Sequence, residues 1–192
     1  LGDSLLESSK NILSGNPNLE FSKIVHHDNI EKILSNNIDS NNESNLLFED
    51  VSRVVKLFCD LFSVDSVWLR LDAVYGPMCP RFHVDSVKCR LVTTYVGPAT
   101  QWLPNNIIDR SKLGHGNEGQ SDEISGLYLK QSDVKQLDIG HIALLKGESW
   151  EGNKGGGLVH RSPKQEGEYK RLYMTIDFTD LYFKIFQNRL NT

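Results

Sequence analysis

The strongest periodic signal in the chain is an apolar stripe between residues 48 and 63. Apolar side chains recur there at intervals of three and four positions, which is the repeat of one helix face. The stripe comprises Val51, Val54, Val55, Phe58, Leu61 and Phe62. This spacing predicts an amphipathic helix over 48–63 that buries one face against a sheet.

A period of two replaces the helical period after this segment, and it predicts strands. Residues 67–74 alternate leucines with polar or aromatic side chains, and residues 90–96 are rich in β-branched side chains. Glycine-rich turns separate four further short strands, predicted at 124–129, 139–146, 157–160 and 171–178. Helices followed by many short strands indicate an α+β fold, namely a double-sheet barrel or jelly roll with helices packed outside.

The polar segments near the N-terminus suggest a division of the chain. Residues 1–20 are polar with Gly and Pro, and they are predicted to form an irregular arm. Asp28 and Glu31 form the capping pattern of a short helix. We therefore predict an N-terminal arm and short helix over 1–47, followed by a single jelly-roll domain with packed helices over 48–192.

Three other segments are predicted from composition and length. Residues 35–45 are nearly all small and polar, which indicates an exposed loop. Residues 104–123 have few apolar anchors, and a loop of that length in a compact domain is often a functional lid or a mobile segment. The apolar residues of 181–190 predict a closing helix.

Composition places the chain among ordinary globular proteins. It has 192 residues, 39% of them hydrophobic and 24% charged. A net charge of -4 argues against broad nucleic-acid binding, which usually needs a basic face, and we interpret Arg81, Lys88 and Arg90 as a solvated rim. No apolar run approaches the roughly 20 residues that span a bilayer. The three cysteines lack framework spacing, so we expect a reducing, cytoplasmic setting.

A set of potential metal ligands begins with His83 and Asp85. These residues lie two positions apart in a predicted strand, so their side chains share one face while Phe82 and Val84 point into a core. His160, 75 residues beyond Asp85, supplies a third ligand. Two imidazoles and one carboxylate form the facial triad of non-haem Fe(II) oxygenases, which leaves the opposite face of the ion open. The pattern predicts an Fe(II) site.

Arg171 begins a predicted strand whose alternate side chains are polar. An Arg guanidinium holds a carboxylate with a planar fork of donors. A dicarboxylate bound to the metal at one end and to Arg171 at the other would be 2-oxoglutarate. Thr93 or Tyr95 would add a hydroxyl contact to this co-substrate. Arg161 and Lys170 are neighbouring cations that could take the role of Arg171, with Arg161 ranked lower because it faces away from His160.

A zinc site is an alternative interpretation. Cys79 and Cys89 flank the His-x-Asp pair, and thiolates favour zinc. The protein would then be a cupin-like metal-binding protein without 2-oxoglutarate chemistry. A non-catalytic binding module that keeps the fold is a second alternative. The sequence leaves open the roles of Cys79, Cys89 and His115, the last of which lies between two glycines.

Three motifs carry a resemblance to known proteins. They are Cys-Pro-Arg-Phe-His-Val-Asp at 79–85, Val-His-Arg-Ser-Pro at 159–163 and Arg-Leu-Tyr-Met-Thr-Ile-Asp-Phe at 171–178. Over residues 45–180 the chain resembles a bacterial family known as a domain of unknown function. More distantly, the order of His-x-Asp, His and Arg is similar to that of the Fe(II)/2-oxoglutarate-dependent dioxygenases.

The more distant similarity implies both a fold and a site. The fold is a double-stranded β-helix (jelly-roll, cupin-like) core with flanking helices. The implied metal ligands are His83, Asp85 and His160, and the implied co-substrate salt bridge is at Arg171. Residues 137–147 resemble the strand-turn-strand before the distal His, but His141 stands where many relatives have Asp, which leaves its role ambiguous.

The sequence therefore predicts an enzyme, an Fe(II)/2-oxoglutarate-dependent dioxygenase. Its cofactors would be Fe(II) and 2-oxoglutarate, and it would hydroxylate a small-molecule or protein substrate. No substrate-binding residue carries over from the resemblance. Loops such as 104–123 and 146–156 would set the shape of the substrate pocket.

Overall fold

The structure is a computed structural model that describes residues 1–40, 45–163 and 169–180. Helices and antiparallel strands make up its α+β fold, as the periodicity predicts. In chain order they are α1 (Asp3–Gly15), β1 (Glu20–His26), α2 (Ile30–Ser35), α3 (Asn45–Phe62), β2 (Ser66–Tyr75), β3 (Cys89–Val96), β4 (Gln101–Trp102), β5 (Lys135–Gln136), β6 (Ala143–Lys146), β7 (His160–Arg161) and β8 (Lys170–Phe178).

The strands form two antiparallel sheets. The larger has five strands in the order β1-β2-β8-β3-β6, and the smaller has three in the order β5-β4-β7. Among the described strands the two sheets do not close into a barrel. The last long strand, β8, lies between β2 and β3, which come much earlier in the chain. The larger sheet is therefore built by long-range pairing.

The helix α3 covers one face of the larger sheet. The stripe predicted from its apolar spacing is buried at Val51, Val54, Val55 and Phe58, whereas Leu61 is exposed at the last turn. Leu69 and Leu71 of β2, with Leu91 and Tyr95 of β3, form the other side of this core. The prediction for this helix is confirmed. Within the part of the chain that the structure describes, none of the helices is both long and apolar enough to span a membrane.

The N-terminal arm predicted for residues 1–20 is wrong, because α1 occupies most of that segment. The buried residues of α1 are Ser8, Ser9, Ile12 and Leu13. Two of these four are polar, so the sequence does not show a continuous apolar stripe. The small hydroxyls find internal partners: Ser9 donates to the Leu5 carbonyl at 2.7 Å, and Ser8 accepts from a backbone N–H of α3 at 3.2 Å. The serines conceal the helical period.

The N-terminal elements share the main core with the rest of the chain. Strand β1, which the sequence did not predict, pairs with β2 along seven residues from Glu20 to His26. Phe21 and Val25 of β1 and Ile30 and Leu34 of α2 belong to the same apolar cluster as α3. The short helix predicted after Asp28 is confirmed as α2. The division between residues 1–47 and 48–192 stays a prediction, while the N-terminal helices and β1 contribute to the main apolar core.

The six predicted strands have different outcomes in the structure. Those at 67–74, 90–96 and 171–178 are confirmed as β2, β3 and β8. Those at 139–146 and 157–160 are reduced to the short strands β6 and β7. The strand predicted at 124–129 is wrong, since Ile124 and Leu129 are 72% and 89% exposed in a series of turns. The closing helix predicted at 181–190 lies outside the described residues.

A second, smaller apolar cluster lies beneath the loop 104–123. It contains Phe82, Leu103, Leu127, Tyr128 and Val159. The few apolar residues of the loop, Ile107, Ile108 and Leu113, pack against this cluster, and short 3-10 turns connect them. The loop is thus a cover for the second core.

Candidate metal centre

The three predicted ligands lie together in the structure. One ligand atom each from His83, Asp85 and His160 falls within 4.8 Å of the other two. His83 and His160 are joined by a pair of backbone hydrogen bonds, each 3.0 Å long. Their ring centroids are 4.5 Å apart. The pairing of these two distant segments therefore creates the site.

Both imidazoles are oriented by the backbone. The Nδ1 atom of His83 lies 2.9 Å from the Arg81 carbonyl oxygen, and that of His160 lies 3.0 Å from the Leu158 carbonyl oxygen. A carbonyl oxygen only accepts, so each Nδ1 carries the proton and each Nε2 presents a lone pair. Burial lowers the pKa of His160, although Asp85 and the Leu158 carbonyl act in the opposite direction. A neutral His160 is a competent metal ligand.

Apolar neighbours explain why these side chains point to one place. Phe82 and Val159 are buried in the second core, and Val84 packs against it. Phe82 and Val159 directly precede the two histidines, and Val84 lies between His83 and Asp85. Because successive side chains of an extended backbone point to opposite sides, the three candidate ligands face away from this core. The strand predicted around His83 consists of a single bridge, but the alternation of faces that it implied is present.

Asp85 is held by a charged network that reaches the larger sheet. The Nη1 atom of Arg90 donates to both oxygens of Asp85, at 3.1 and 3.0 Å. The Nε atom of Arg90 donates to Asp177 at 2.9 Å, and Arg70 donates to the same carboxylate at 2.6 Å. Asp177 is only 1% exposed. Burial alone would lower the pKa of Arg90, but Asp177 and Asp85 outweigh it and raise that pKa.

This network corrects the interpretation of Arg90 as part of a solvated rim. Arg90 faces the inside of the fold, whereas Lys88 and Arg81 are largely exposed. The sequence feature that could have indicated a buried Arg90 is the alternation of polar side chains over residues 171–177, which ends with Asp177. A buried carboxylate on that face needs a cation on a neighbouring strand, and β3 supplies one.

Arg171 lies in a cavity of about 170 Å³ that the two imidazoles also line. Arg171 is 2% exposed, and its guanidinium donates to the Thr94 hydroxyl at 3.4 Å. No carboxylate of the described residues pairs with it, and its Nε and the nearby Thr175 hydroxyl lack partners. Burial lowers the pKa of Arg171. A buried cation beside unpaired polar atoms is suited to a carboxylate ligand.

The family model described as protein of unknown function (DUF1826) matches residues 5–177 of the chain. The chain belongs to the DUF1826 family. The predicted membership of a domain-of-unknown-function family is thereby confirmed. A crystal structure of IDO from Bacillus thuringiensis is similar with a TM-score of 0.46 and 10% sequence identity, covering 91% of this chain and 83% of that chain. A search of curated proteins finds no match.

In this DUF1826 member Thr93 and Tyr95 face away from the cavity. Both lie on the side of β3 that packs against α3, and the Tyr95 hydroxyl donates to Asp50 at 2.9 Å. Neither hydroxyl is therefore placed to contact a co-substrate in this cavity, as was predicted for Thr93 or Tyr95. The alternation within β3 was assigned properly, but the cavity lies on the other face, where Val92 and Thr94 are found.

The cysteines lie outside the ligand cluster. Cys59 is buried in α3, and Cys89 is buried in β3, where burial raises the pKa of its thiol to about 11. Cys79 is exposed and lines the cavity, but it is absent from the group of converging ligand atoms. His115 and His141 are exposed, and His141 lies 3.5 Å from Asp138.

Asp122 in the loop 104–123 ties together the segments that carry the histidines. This carboxylate is 3% exposed and accepts the backbone N–H of Phe82 at 2.8 Å. It also accepts from Arg81 at 2.9 Å and from Arg161 at 3.3 Å. Arg161 is therefore occupied, and the exposed Lys170 lies over a surface tyrosine. Of the three cations considered for the co-substrate, Arg171 alone is buried without a carboxylate among the described residues.

A second group of potential ligands lies at the end of β1. His26, His27 and Asp28 also place ligand atoms within 4.8 Å of one another. Asp28 is 73% exposed there, and the imidazole Nδ1 atoms are directed at its carboxylate. This surface group lacks the orienting carbonyls and the adjoining cavity of the first site.

Proposed function

We propose that the protein is a non-haem Fe(II)- and 2-oxoglutarate-dependent oxygenase that hydroxylates a C–H bond of its substrate. The observation that carries this proposal is the placement of a buried arginine, Arg171, in the same cavity as His83 and His160, without a carboxylate partner in the described part of the chain. Either feature alone has an ordinary structural explanation. Together they match the two ends of a metal-chelating dicarboxylate.

The residues fit the metal that this function needs. Two imidazoles, each with its Nδ1 atom against a backbone carbonyl, and the carboxylate of Asp85 form a two-histidine, one-carboxylate set. Fe(II) and 2-oxoglutarate, if bound there, would supply the oxidising chemistry, with two electrons from the conversion of 2-oxoglutarate to succinate and CO2, and one atom of dioxygen entering each product. The set leaves coordination positions open, as this chemistry requires.

The chain's own residues would bind and shield the co-substrate. Arg171 would donate to the distal carboxylate, and the unpaired hydroxyl of Thr175 lies on the same polar face of β8 to add a further donor. Burial of both groups excludes water and strengthens each charged hydrogen bond. The cost of keeping Arg171 buried would be offset when the carboxylate binds.

We also propose that the core is a double-stranded β-helix, or jelly roll. Numbered from β2, with the segment at His83 as the second, the strands pair first with eighth, second with seventh, third with sixth and fourth with fifth. Such nesting arises when one long hairpin is wound into two sheets, which is the jelly-roll arrangement. Strand β1 would be an addition at the edge of the larger sheet.

Co-substrate turnover tests the function directly. Purified protein loaded anaerobically with Fe(II) is exposed to oxygen with 2-oxoglutarate, and succinate is measured. We expect slow succinate formation without a substrate, lost in His160→Ala and Arg171→Met. His115→Ala is the matched control, since His115 is exposed and lies outside the ligand cluster. If the iron-loaded protein neither binds 2-oxoglutarate nor makes succinate, the proposal is refuted; tight zinc binding instead would support a metal-binding role alone.

A further inference from the structure

One side chain, Arg90, joins a proposed metal ligand to the buried interior of the sheet. Its Nη1 atom contacts both oxygens of Asp85, while its Nε atom contacts Asp177 on the adjacent strand β8. Asp177 is fixed in turn by Arg70. The four charges of this network cancel, so Asp85 is held in place without a net buried charge.

We infer that Arg90 is a positioning residue that directs the Asp85 carboxylate toward the two imidazoles and so sets the metal affinity of the site. This inference rests on the proposed function, because it concerns the same three ligands. A single Nη1 atom between the two carboxylate oxygens fixes the direction of Asp85. A guanidinium anchored at its Nε end cannot swing away with that carboxylate.

Two opposing effects decide whether removal of Arg90 weakens or tightens metal binding. Arg90 is a cation near a proposed cation site, so removing its charge alone would tighten metal binding. Removing it also frees Asp85 to rotate toward solvent, since 13% of the Asp85 side chain is already exposed. Loss of a group that orients a ligand typically weakens metal binding about 10- to 100-fold. We expect orientation to outweigh repulsion, because Asp177 neutralises much of the Arg90 charge.

The experiment measures Co(II) affinity and visible absorption in the full chain. Arg90→Gln should bind Co(II) about 10- to 100-fold more weakly than wild type, with an altered absorption spectrum. Arg90→Lys keeps the charge but offers a compact point donor that cannot bridge both carboxylates, so we expect it to stay at least about tenfold weaker. Arg53→Gln is the matched control, an exposed arginine of α3 that pairs with Asp50 and does not line the cavity, and it should retain wild-type Co(II) affinity and spectrum.

The outcomes separate this inference from the proposed function. Wild-type or tighter Co(II) binding by Arg90→Gln, or full recovery by Arg90→Lys, overturns the positioning role. In either case the oxygenase proposal stands if Arg171→Gln still loses 2-oxoglutarate binding. Absence of Co(II) binding by the wild-type protein overturns both. If Arg90→Gln fails to fold, the Arg90→Lys result decides the question.

Discussion

Replacing Arg171 by Met should stabilise the ligand-free protein. Arg171 is 2% exposed, and among the described residues its guanidinium is partly compensated by the Thr94 hydroxyl at 3.4 Å and the Tyr173 ring, whose centroid lies 5.1 Å away. Withdrawing a charge from water costs several kcal/mol, and apolar replacement of buried ionic groups often stabilises by about 1–4 kcal/mol. Because Met is unbranched and keeps part of the stem packing, we expect a gain of about 1–2 kcal/mol.

The same substitution should abolish stabilisation by the co-substrate. A ligand present at about 100 times its Kd stabilises the folded state by about 2.7 kcal/mol. For a chain of 192 residues, each kcal/mol shifts the Tm by about 2–4 °C. Wild-type protein with a divalent metal should therefore gain about 5–11 °C on addition of 2-oxoglutarate. The Arg171→Met variant should gain almost nothing while starting from a higher Tm.

Thermal unfolding with and without 2-oxoglutarate, at constant metal concentration, measures both effects. Arg53→Met is the control, because Arg53 is an exposed arginine on α3 whose ion-pair partner among the described residues is Asp50, and an exposed ion pair of this kind contributes little to stability. It should leave the ligand-free Tm and the 2-oxoglutarate shift near wild type. A ligand-free Arg171→Met protein that is less stable than wild type, with an undiminished 2-oxoglutarate shift, would refute the reasoning that Arg171 is a buried cation reserved for a carboxylate.

Three further predictions concern the surroundings of the site. Gly97 has a φ of 83°, and an added Cβ would lie 2.3 Å from a backbone oxygen of β8, so Gly97→Ala should lose about 2–4 kcal/mol in denaturant unfolding; a loss below about 1 kcal/mol would contradict this. Burial raises the pKa of Asp72 from 3.8 to about 6, so its charge costs stability that is fully felt above pH 6 and disappears below the unfolded value. Asp72→Asn should therefore stabilise by about 1–2 kcal/mol at pH 8 but not at pH 3.5, and an equal gain at both pH values would exclude this cause. Asp122→Asn removes a buried charge that serves two arginines and a backbone N–H, and should cost about 3 kcal/mol by thermal unfolding; an unchanged Tm would show that the loop is not anchored through Asp122.

Much of the candidate site follows from local pattern. His83 and Asp85 are two positions apart, with apolar Phe82 before them and Val84 between them. This spacing is sufficient to place two candidate ligands on one side of an extended segment. The polar alternation after His160 likewise placed Arg171 on one face of a strand. These features need only the repeat of the extended backbone, which a few residues determine.

The errors come from features that depend on neighbours distant in sequence. Periodicity separated Thr93 and Tyr95 from Val92 and Thr94, but it does not say which face α3 will cover. Arg90 looked like a surface cation because its partner Asp177 lies on β8, far along the chain. The helical period of α1 was missed because buried serines take apolar positions.

The sequence by itself determined the amphipathic helix α3, the faces of β2, β3 and β8, and which three candidate ligands converge. Those properties follow from the helical and extended repeats, which act over a few residues. The tertiary structure alone decided that β8 lies between β2 and β3, that the segment at His83 pairs with β7, and that Arg90 and Arg171 face the same cavity. Sheet pairing joins distant segments through backbone hydrogen bonds that are alike at every residue, so local pattern cannot specify the partner.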